Sequence, residues 1–189
     1  MIRIATLAGV VCIAALVSAC VGEDPRAAAP FDPVVNEGFE NPLGFYDVQP
    51  RFSWKLPVAD NTKSQSAYRI VVASDTSLLP DRADLWDTEK VDSGQSTWIS
   101  YAGEPLDSRR KLYWQAMYWD QDGTASAWSP VSHVEMGLLH NTDWQARWIS
   151  LPRSATQQVS DRGYHFHRPQ NLRKEFSIDQ PVRQARLYI

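Results

Sequence analysis

The sequence predicts an all-β protein built as a two-sheet sandwich, and three observations support this fold class. Short stretches that alternate hydrophobic and polar residues recur between residues 50 and 136. Turn-forming residues separate them, most clearly Asp122-Gly123, which is typical of a β-hairpin. Beyond the N-terminal segment no amphipathic helix is evident, and the one helix-like stretch, residues 77–85, is interrupted by Pro80. We expect a single short helical turn there.

The strands can be placed in order along the chain because residues on one face of a strand recur with a period of two. The predicted strands are residues 50–56, 67–74, 85–91, 97–101, 112–119 and 131–136. The same alternation predicts which side chains point into the core. They are Phe52, Trp54, Leu56, Tyr68, Ile70, Val72, Leu112, Trp114, Ala116 and Tyr118. Strands of this number and spacing are typical of a sandwich of about 100 residues.

The charge pattern argues against nucleic acid as a partner. The 189 residues contain 19 Lys and Arg against 22 Asp and Glu, which gives a formal net charge of -3. The basic residues are scattered, whereas a protein that binds a phosphate backbone concentrates positive charge on one surface. A chain of this length can bury one full core and at most a second partial one.

Residues 1–19 are predicted to be an export signal. Arg3 supplies the positive charge, residues 4–16 are apolar, and residues 17–19 are suited to cleavage. As a helix, residues 4–19 would be about 24 Å long, short of the roughly 30 Å needed to span a bilayer. An uncleaved membrane anchor is the alternative.

Cys20 is the predicted lipid attachment residue. The run Val17-Ser18-Ala19-Cys20 resembles a bacterial lipobox, in which the cysteine is acylated and begins the mature protein. The chain is then expected to be exported and anchored in the bacterial cell envelope, and Val21 favours the outer membrane. Ordinary cleavage after Ala19, which would leave a free thiol, is the alternative. No intramolecular disulfide is expected, because Cys12 also lies in the signal.

Residues 20–33 are predicted to be a tether, because they are rich in Pro and Ala and show no periodicity. Such a tether would hold the folded domain that follows off the membrane surface. The folded domain is expected to begin at residue 34.

A series of ordered motifs resembles the N-terminal region of bacterial α-L-rhamnosidases. The motifs are NPLG (41–44), QPRFSWKL (49–56), QSAYRIVVAS (65–74), LWDTEKVDSGQS (85–96), WDQDG (119–123) and SAWS (126–129). EMGLL (135–139), DWQARWIS (143–150) and LRKEFSIDQPVRQARLYI (172–189) resemble the exit into a second domain and its opening strands. The resemblance implies a fibronectin type III/immunoglobulin-like β-sandwich over residues 34–140. It also implies the incomplete start of a second, jelly-roll-like β-sandwich over residues 141–189.

The resemblance implies an enzyme whose catalytic residues lie elsewhere. In that family two acidic residues of an (α/α)6 barrel hydrolyse rhamnosides with inversion, and no position of this chain matches the barrel. We therefore expect no catalytic residue, no cofactor and no activity from the chain alone, with rhamnose-containing glycans as partners of the barrel. Residues 151–189 are expected to be poorly ordered or loosely docked, because about two strands cannot complete a sandwich of about eight.

Three functional hypotheses follow from this resemblance. In the first hypothesis, which is favoured, the chain is the leading portion of a lipid-anchored α-L-rhamnosidase. In the second it is a stand-alone carbohydrate-binding or spacer lipoprotein. In the third it is an adaptor for a separate catalytic chain. The incomplete second domain favours the first, because a stand-alone module is expected to end at a domain boundary.

One position departs from the pattern of such domains. A tyrosine is expected two residues before Trp114, where its hydroxyl would bond to the backbone at a corner of the sandwich. Leu112 occupies this position. We expect the corner to be weakened, and Trp119 to lie on the outer face of the strand.

Aromatic residues are the candidates for sugar contact, because aromatic faces stack on pyranose rings. Most tryptophans fall on predicted inward faces or at the domain junction, where packing explains them. The remaining candidates for glycan contact are Trp86, Trp98, Tyr101 and Trp119.

The acidic residues and histidines are not predicted to have a catalytic or metal-binding role. Asp120, Asp122 and Glu135 fit turns or solvated strand faces. His165 and His167 would share one side of a strand, but no third ligand stands near them, so no metal site is predicted. His133 and His140 are isolated in the sequence.

Overall fold

The computed structural model describes residues 27–58, 63–147, 149, 157–159, 162–163, 165–167 and 171–188. Cys20 and the predicted signal lie outside the described residues, as does Trp148. The regular secondary structure of the described part is almost entirely β-strand, with 3₁₀ turns at Thr76–Leu78 and Asn141–Asp143. Among these residues, no helix has the length and hydrophobicity of a transmembrane segment.

The strands form two main sheets and a separate hairpin. In chain order they are β1 (Phe31–Val35), β2 (Leu43–Phe45), β3 (Arg51–Lys55), β4 (Gln65–Ala73), β5 (Trp86–Asp87), β6 (Val91–Asp92), β7 (Ile99–Ser100), β8 (Lys111–Asp120), β9 (Ser132–Met136), β10 (Gln157–Val159) and β11 (His165–His167). One sheet has the order β1-β3-β7, and the larger has the order β2-β9-β8-β4-β5, with β6 also paired to β4. β10 and β11 pair only with each other among the described strands.

The longest strand pair is the antiparallel ladder of β4 and β8, which runs from Gln65 opposite Asp120 to Ala73 opposite Tyr113. Along β8 buried and half-buried side chains alternate, as the sequence predicts for a strand with one face on the core. The β-branched and aromatic residues of these strands suit a pleated, packed surface. β4 begins two residues earlier than predicted because Gln65 and Ser66 continue the ladder.

The core lies between the inner faces of the two sheets. Phe52 and Trp54 of β3 pack there against β4 and β8, and the Phe52 and Trp114 rings lie 4.5 Å apart. All the predicted inward residues except Leu56 are buried, and Leu56 is half-buried against the edge of the core. Burying each large side chain stabilises the fold by about 1.5–3 kcal/mol.

One buried polar side chain connects the two sheets. Gln65 accepts a hydrogen bond from the Trp54 indole at 3.2 Å and donates to the carbonyl oxygens of Ser93 and Gln95. Its amide group therefore has partners for both its oxygen and its nitrogen, as a buried polar group requires.

The predicted boundary of the tether at residue 33 is placed too late. β1 pairs with β3 from Phe31 onward, and Ala27 is buried against Ser126. The Tyr118 hydroxyl donates to the carbonyl oxygen of Ala28 at 3.0 Å. The sequence did not indicate this strand, because its proline argues against strand structure. Proline is nevertheless tolerated on an edge strand such as β1. β2, which runs parallel to β9, was also not predicted.

Two predicted strands are shorter than expected. The stretch 85–91 forms only β5 and the start of β6, and Glu89 between them has a positive φ of 51°. The stretch 97–101 forms only β7, which follows Trp98 at a φ of 59°. Left-handed backbone interrupts a strand in both places. The single turn expected within residues 77–85 is confirmed at its start, as Thr76–Leu78.

The described residues 171–188 contain no strand or helix and are almost entirely exposed. The side chains of Gln184, Arg186 and Tyr188 nevertheless contact the sandwich. The expectation that residues 151–189 are poorly ordered or loosely docked stays a prediction.

Candidate functional site

The candidate site lies where residues 171–188 meet the outer face of the larger sheet. Opposite each other on β8 and β9 are Lys111 and Glu135, and next to them Tyr113 and His133. We call the following set the anchor site: Arg109, Lys111, His133 and Glu135 of the sandwich, with Arg186 and Tyr188 of the later segment.

Glu135 is the central residue of the anchor site. Val134 and Met136 on either side of it point into the core, which turns Glu135 to the outer face of the sheet. Its side chain is nevertheless only 7% exposed, because Arg186 lies over it. The prediction that Glu135 is a solvated surface charge is therefore wrong, since an acidic residue on an outer face gives no sequence signal of a distant partner.

The Glu135–Arg186 pair is bidentate. Arg186 donates from Nη2 to Oε2 at 2.7 Å and from Nε to Oε1. These hydrogen bonds hold the pKa of Glu135 below its ordinary value of 4.5, against an opposing contribution from burial. The pair therefore contributes stability at neutral pH, and this contribution is lost as the pH falls from about 4.5 through the lower folded-state pKa.

The pKa of His133 depends on the same charged groups. Partial burial and the nearby cations Lys111 and Arg186 lower its pKa from 6.5, while Glu135 opposes the shift. Its ring lies 6.1 Å from that of Tyr113, on the face of the sheet that carries Glu135. The protonation of His133 therefore depends on whether Arg186 is in place.

A second cluster fixes the direction in which the chain leaves the sandwich. The Ser108 hydroxyl accepts from the Leu139 amide at 2.8 Å and donates to the Asp143 carboxylate. The hydrogen bond from Ser108 lowers the pKa of Asp143, and the backbone amide of His140 adds to the effect. Leu112, which stands where a corner tyrosine was expected, is fully buried, and this hydroxyl network lies just before β8.

The structure does not bring the four candidate glycan contacts together. Tyr101 is only 3% exposed and its hydroxyl donates to the Glu104 carbonyl at 2.8 Å, so its ring has no face free for a sugar. Burial raises the pKa of Tyr101 to about 12. Trp86 packs on Tyr101 and on Phe52 at the edge of the core, with ring centroids 5.3 and 6.2 Å apart. The interpretation of Tyr101 as a surface contact is therefore corrected to a core role.

Trp98 and Trp119 lie on different sheets. Trp98 is 44% exposed beside β7, its backbone amide donates to the Ser53 hydroxyl, and the Arg51 guanidinium lies 4.3 Å from its ring centroid. Trp119 is half-buried on β8, with the Lys90 ammonium 4.9 Å from its ring centroid. A cation thus contacts each ring, and the two do not share a surface.

The three acidic residues considered in the sequence, Asp120, Asp122 and Glu135, each have a hydrogen-bond partner in the described structure. Asp120 is buried and accepts from the amides of Asp122 and Thr124, which makes it the turn former that the sequence predicted. A cleft of about 630 Å³ beside Tyr101 has the carboxylates of Glu104 and Asp107 on its rim, and both residues are exposed.

No metal centre is apparent in the part of the chain that the structure describes. There, no group of three or more His, Cys, Asp or Glu side chains is close enough to hold an ion. His165 and His167 lie on β11, and His140 precedes the turn at Asn141–Asp143.

Comparison with known proteins identifies the domain. A family model described as "Rha78A-like, N-terminal immunoglobulin domain" matches residues 32–140. The chain belongs to this family. The predicted resemblance and the immunoglobulin-like sandwich are therefore confirmed, and the matched residues begin within β1.

Relatives of this Rha78A-like chain are much longer than the chain itself. An α-L-rhamnosidase of Formosa agariphila is 55% identical over 82% of this chain, which spans 17% of that protein. The structure of Streptomyces avermitilis α-L-rhamnosidase complexed with L-rhamnose matches with a TM-score of 0.65 and 40% identity, over 69% of this chain and 12% of that one. A Dictyoglumus thermophilum α-L-rhamnosidase also gives a TM-score of 0.65, at 30% identity, over 76% of this chain and 17% of its own.

Proposed function

We propose that this chain is the non-catalytic N-terminal region of an α-L-rhamnosidase-type glycoside hydrolase that removes terminal α-L-rhamnose from glycans. The observation that carries the proposal is the similarity to α-L-rhamnosidases over 82% of this chain and only 17% of theirs. Hydrolysis of the rhamnoside would be carried out by a catalytic domain further along a longer polypeptide.

The electrostatics of the carboxyl groups support a non-catalytic role. A general acid for glycoside cleavage needs a raised pKa. Where the pKa of a carboxyl in the described residues clearly departs from its ordinary value, it is lowered, as for Glu135 beside Arg186 and Asp143 beside Ser108. For Asp84 burial acts upward, but hydrogen bonds from Ser74 outweigh it. These groups are held ionised, which suits structural pairing.

The gene itself tests the proposal. The nucleotide sequence after the codon for Ile189 should encode the rest of a second β-sandwich and an (α/α)6 barrel, in the same frame or a shifted one. A downstream region that encodes neither in any frame would contradict it.

A stand-alone carbohydrate-binding or spacer module is the second candidate, and the exposed ring of Trp98 is the observation that favours it. Titration calorimetry of the chain with rhamnosides distinguishes the two. Binding that is lost in Trp98→Ala would favour this module, and no detectable binding would favour the non-catalytic region.

We further propose that Cys20 is acylated and anchors the protein in the bacterial cell envelope at the outer membrane. The lipobox-like run at residues 17–20 supports this. Cells that express the chain should incorporate radiolabelled palmitate into it, and Cys20→Ala should abolish the label. Cys12→Ala is the matched control and should keep the label, because that residue lies within the predicted signal. Label that persists in Cys20→Ala would contradict the assignment.

A further inference from the structure

Glu135 is a buried acid on a surface that would otherwise be exposed. Its side chain is 7% accessible although it points away from the core, and the group that covers it is the Arg186 guanidinium. A buried carboxylate without a partner is strongly destabilising, whereas a bidentate guanidinium satisfies both of its oxygens. The sandwich therefore has a site shaped for an arginine.

The cation opposite Glu135 on the neighbouring strand does not serve as that partner. Lys111 stands directly opposite Glu135 in the β8–β9 ladder. Its ammonium group instead lies 5.0 Å from the ring centroid of Tyr113. A point-like ammonium also lacks the planar fork that bonds both carboxylate oxygens at once.

A second contact involves Tyr188, two residues after Arg186. In this contact the sandwich supplies the cation and the later segment supplies the ring. The Arg109 guanidinium of the sandwich lies 5.6 Å from the ring centroid of Tyr188. Arg109 also donates to the Asp143 carbonyl at 3.4 Å, and its own amide donates to the Gly137 carbonyl at 2.9 Å. The arginine that receives Tyr188 is therefore connected to the exit of the sandwich.

The spacing of these contacts describes the occupant. Residues two apart in an extended segment point to the same side, and Arg186 and Tyr188 both face the sandwich. Leu187 between them is 82% exposed, as expected for the opposite side. The surface thus receives an extended segment with an arginine and an aromatic residue two positions apart.

We propose that the sandwich surface formed by Arg109, His133 and Glu135 is a docking surface for an extended Arg-x-Tyr segment, and that residues 184–188 of this chain occupy it. The bidentate pair sets the position of the segment, and the Arg109–Tyr188 contact sets its direction. The domain thereby orients the polypeptide that follows it. This goes beyond the proposed function, because it requires neither rhamnoside binding nor hydrolysis.

Substitution of Arg186 in the whole chain tests this docking. Arg186→Met keeps the apolar stem and removes the guanidinium, while Arg173→Met is the control because Arg173 pairs with Glu175 within the same segment, exposed to solvent. We expect the backbone order parameters of residues 184–188, measured by 15N relaxation, to fall in Arg186→Met from about 0.85 to below about 0.6, because the segment loses the charge-assisted pair that holds it. The order parameters in Arg173→Met should match those of the wild type.

The titration of His133, followed by NMR, gives an independent readout. In Arg186→Met the pKa of His133 should rise, because one neighbouring cation is gone and Glu135 is left unpaired. Glu135→Gln should also lower the order parameters of residues 184–188, which separates loss of the ion pair from an effect of the introduced methionine. Order parameters of residues 184–188 and a His133 titration in Arg186→Met that equal those of the wild type would overturn the proposal.

Discussion

Replacing Trp114 by alanine should lower the free energy of unfolding by about 3–5 kcal/mol, within the range for deletion of a buried aromatic side chain. Trp114 is fully buried in the middle of the larger sheet, opposite Val72 on one side and Ser132 on the other. Its ring lies 4.5 Å from that of Phe52 across the core, so the cavity would open between the two sheets. Domains of this size are stable by about 5–15 kcal/mol, so this loss is a large fraction.

Urea denaturation followed by circular dichroism measures this change. Trp144→Ala is the matched control, because Trp144 is 44% exposed and its loss should cost less than about 1 kcal/mol. Trp114→Phe separates the effect of lost side-chain volume from the effect of the lost indole N–H group. The buried indole nitrogen of Trp114 has no hydrogen-bond partner, so the smaller ring should cost much less than alanine. Equal losses in Trp114→Ala and Trp144→Ala would contradict the assignment of the core.

Gly103→Ala should lower the free energy of unfolding by about 3 kcal/mol, the upper part of the range for overpacking. A Cβ at this position would lie 2.6 Å from the Trp86 Cβ and 2.7 Å from the Tyr101 hydroxyl, and closer still to the Leu85 carbonyl oxygen. These atoms belong to backbone or to packed rings and cannot move aside separately. The Tyr101 hydrogen bond to Glu104 would be disturbed as well.

Thermal unfolding distinguishes this clash from ordinary glycine strain. Gly123→Ala is the control, because Gly123 has a φ of 79° but nothing lies within 4 Å of the position that an added Cβ would take. Only backbone strain of about 1 kcal/mol is expected there. If Gly103→Ala were as mild as Gly123→Ala, the close packing of the 101–107 loop on β5 would be wrong.

The sequence predicts best the strands that have one face on the core and the other face outside it. β8 alternates buried and half-buried side chains along its whole length, and β3 places Phe52 and Trp54 inward as the alternation requires. Sandwich strands with one face on the core and one outside carry this signal in every second residue. The family motifs follow the same strands, which is why fold and family were both predicted.

The parts that sequence did not predict depend on contacts between distant residues. Glu135 and Arg186 are 51 positions apart, and neither stands in a periodic pattern that indicates the other. Tyr101 follows the two-residue strand β7 and is buried because the loop that contains Gly103 folds over it. β1 contains a proline that normally argues against a strand, but an edge strand tolerates it.

Rhamnose release by the purified chain is the most direct test of its non-catalytic role. The assay compares residues 20–189 with the longer polypeptide that contains the proposed barrel, on a chromogenic aryl α-L-rhamnoside. We expect hydrolysis by the longer polypeptide and none above the buffer blank by residues 20–189. Hydrolysis by residues 20–189, abolished by substitution of their own carboxylates, would contradict it.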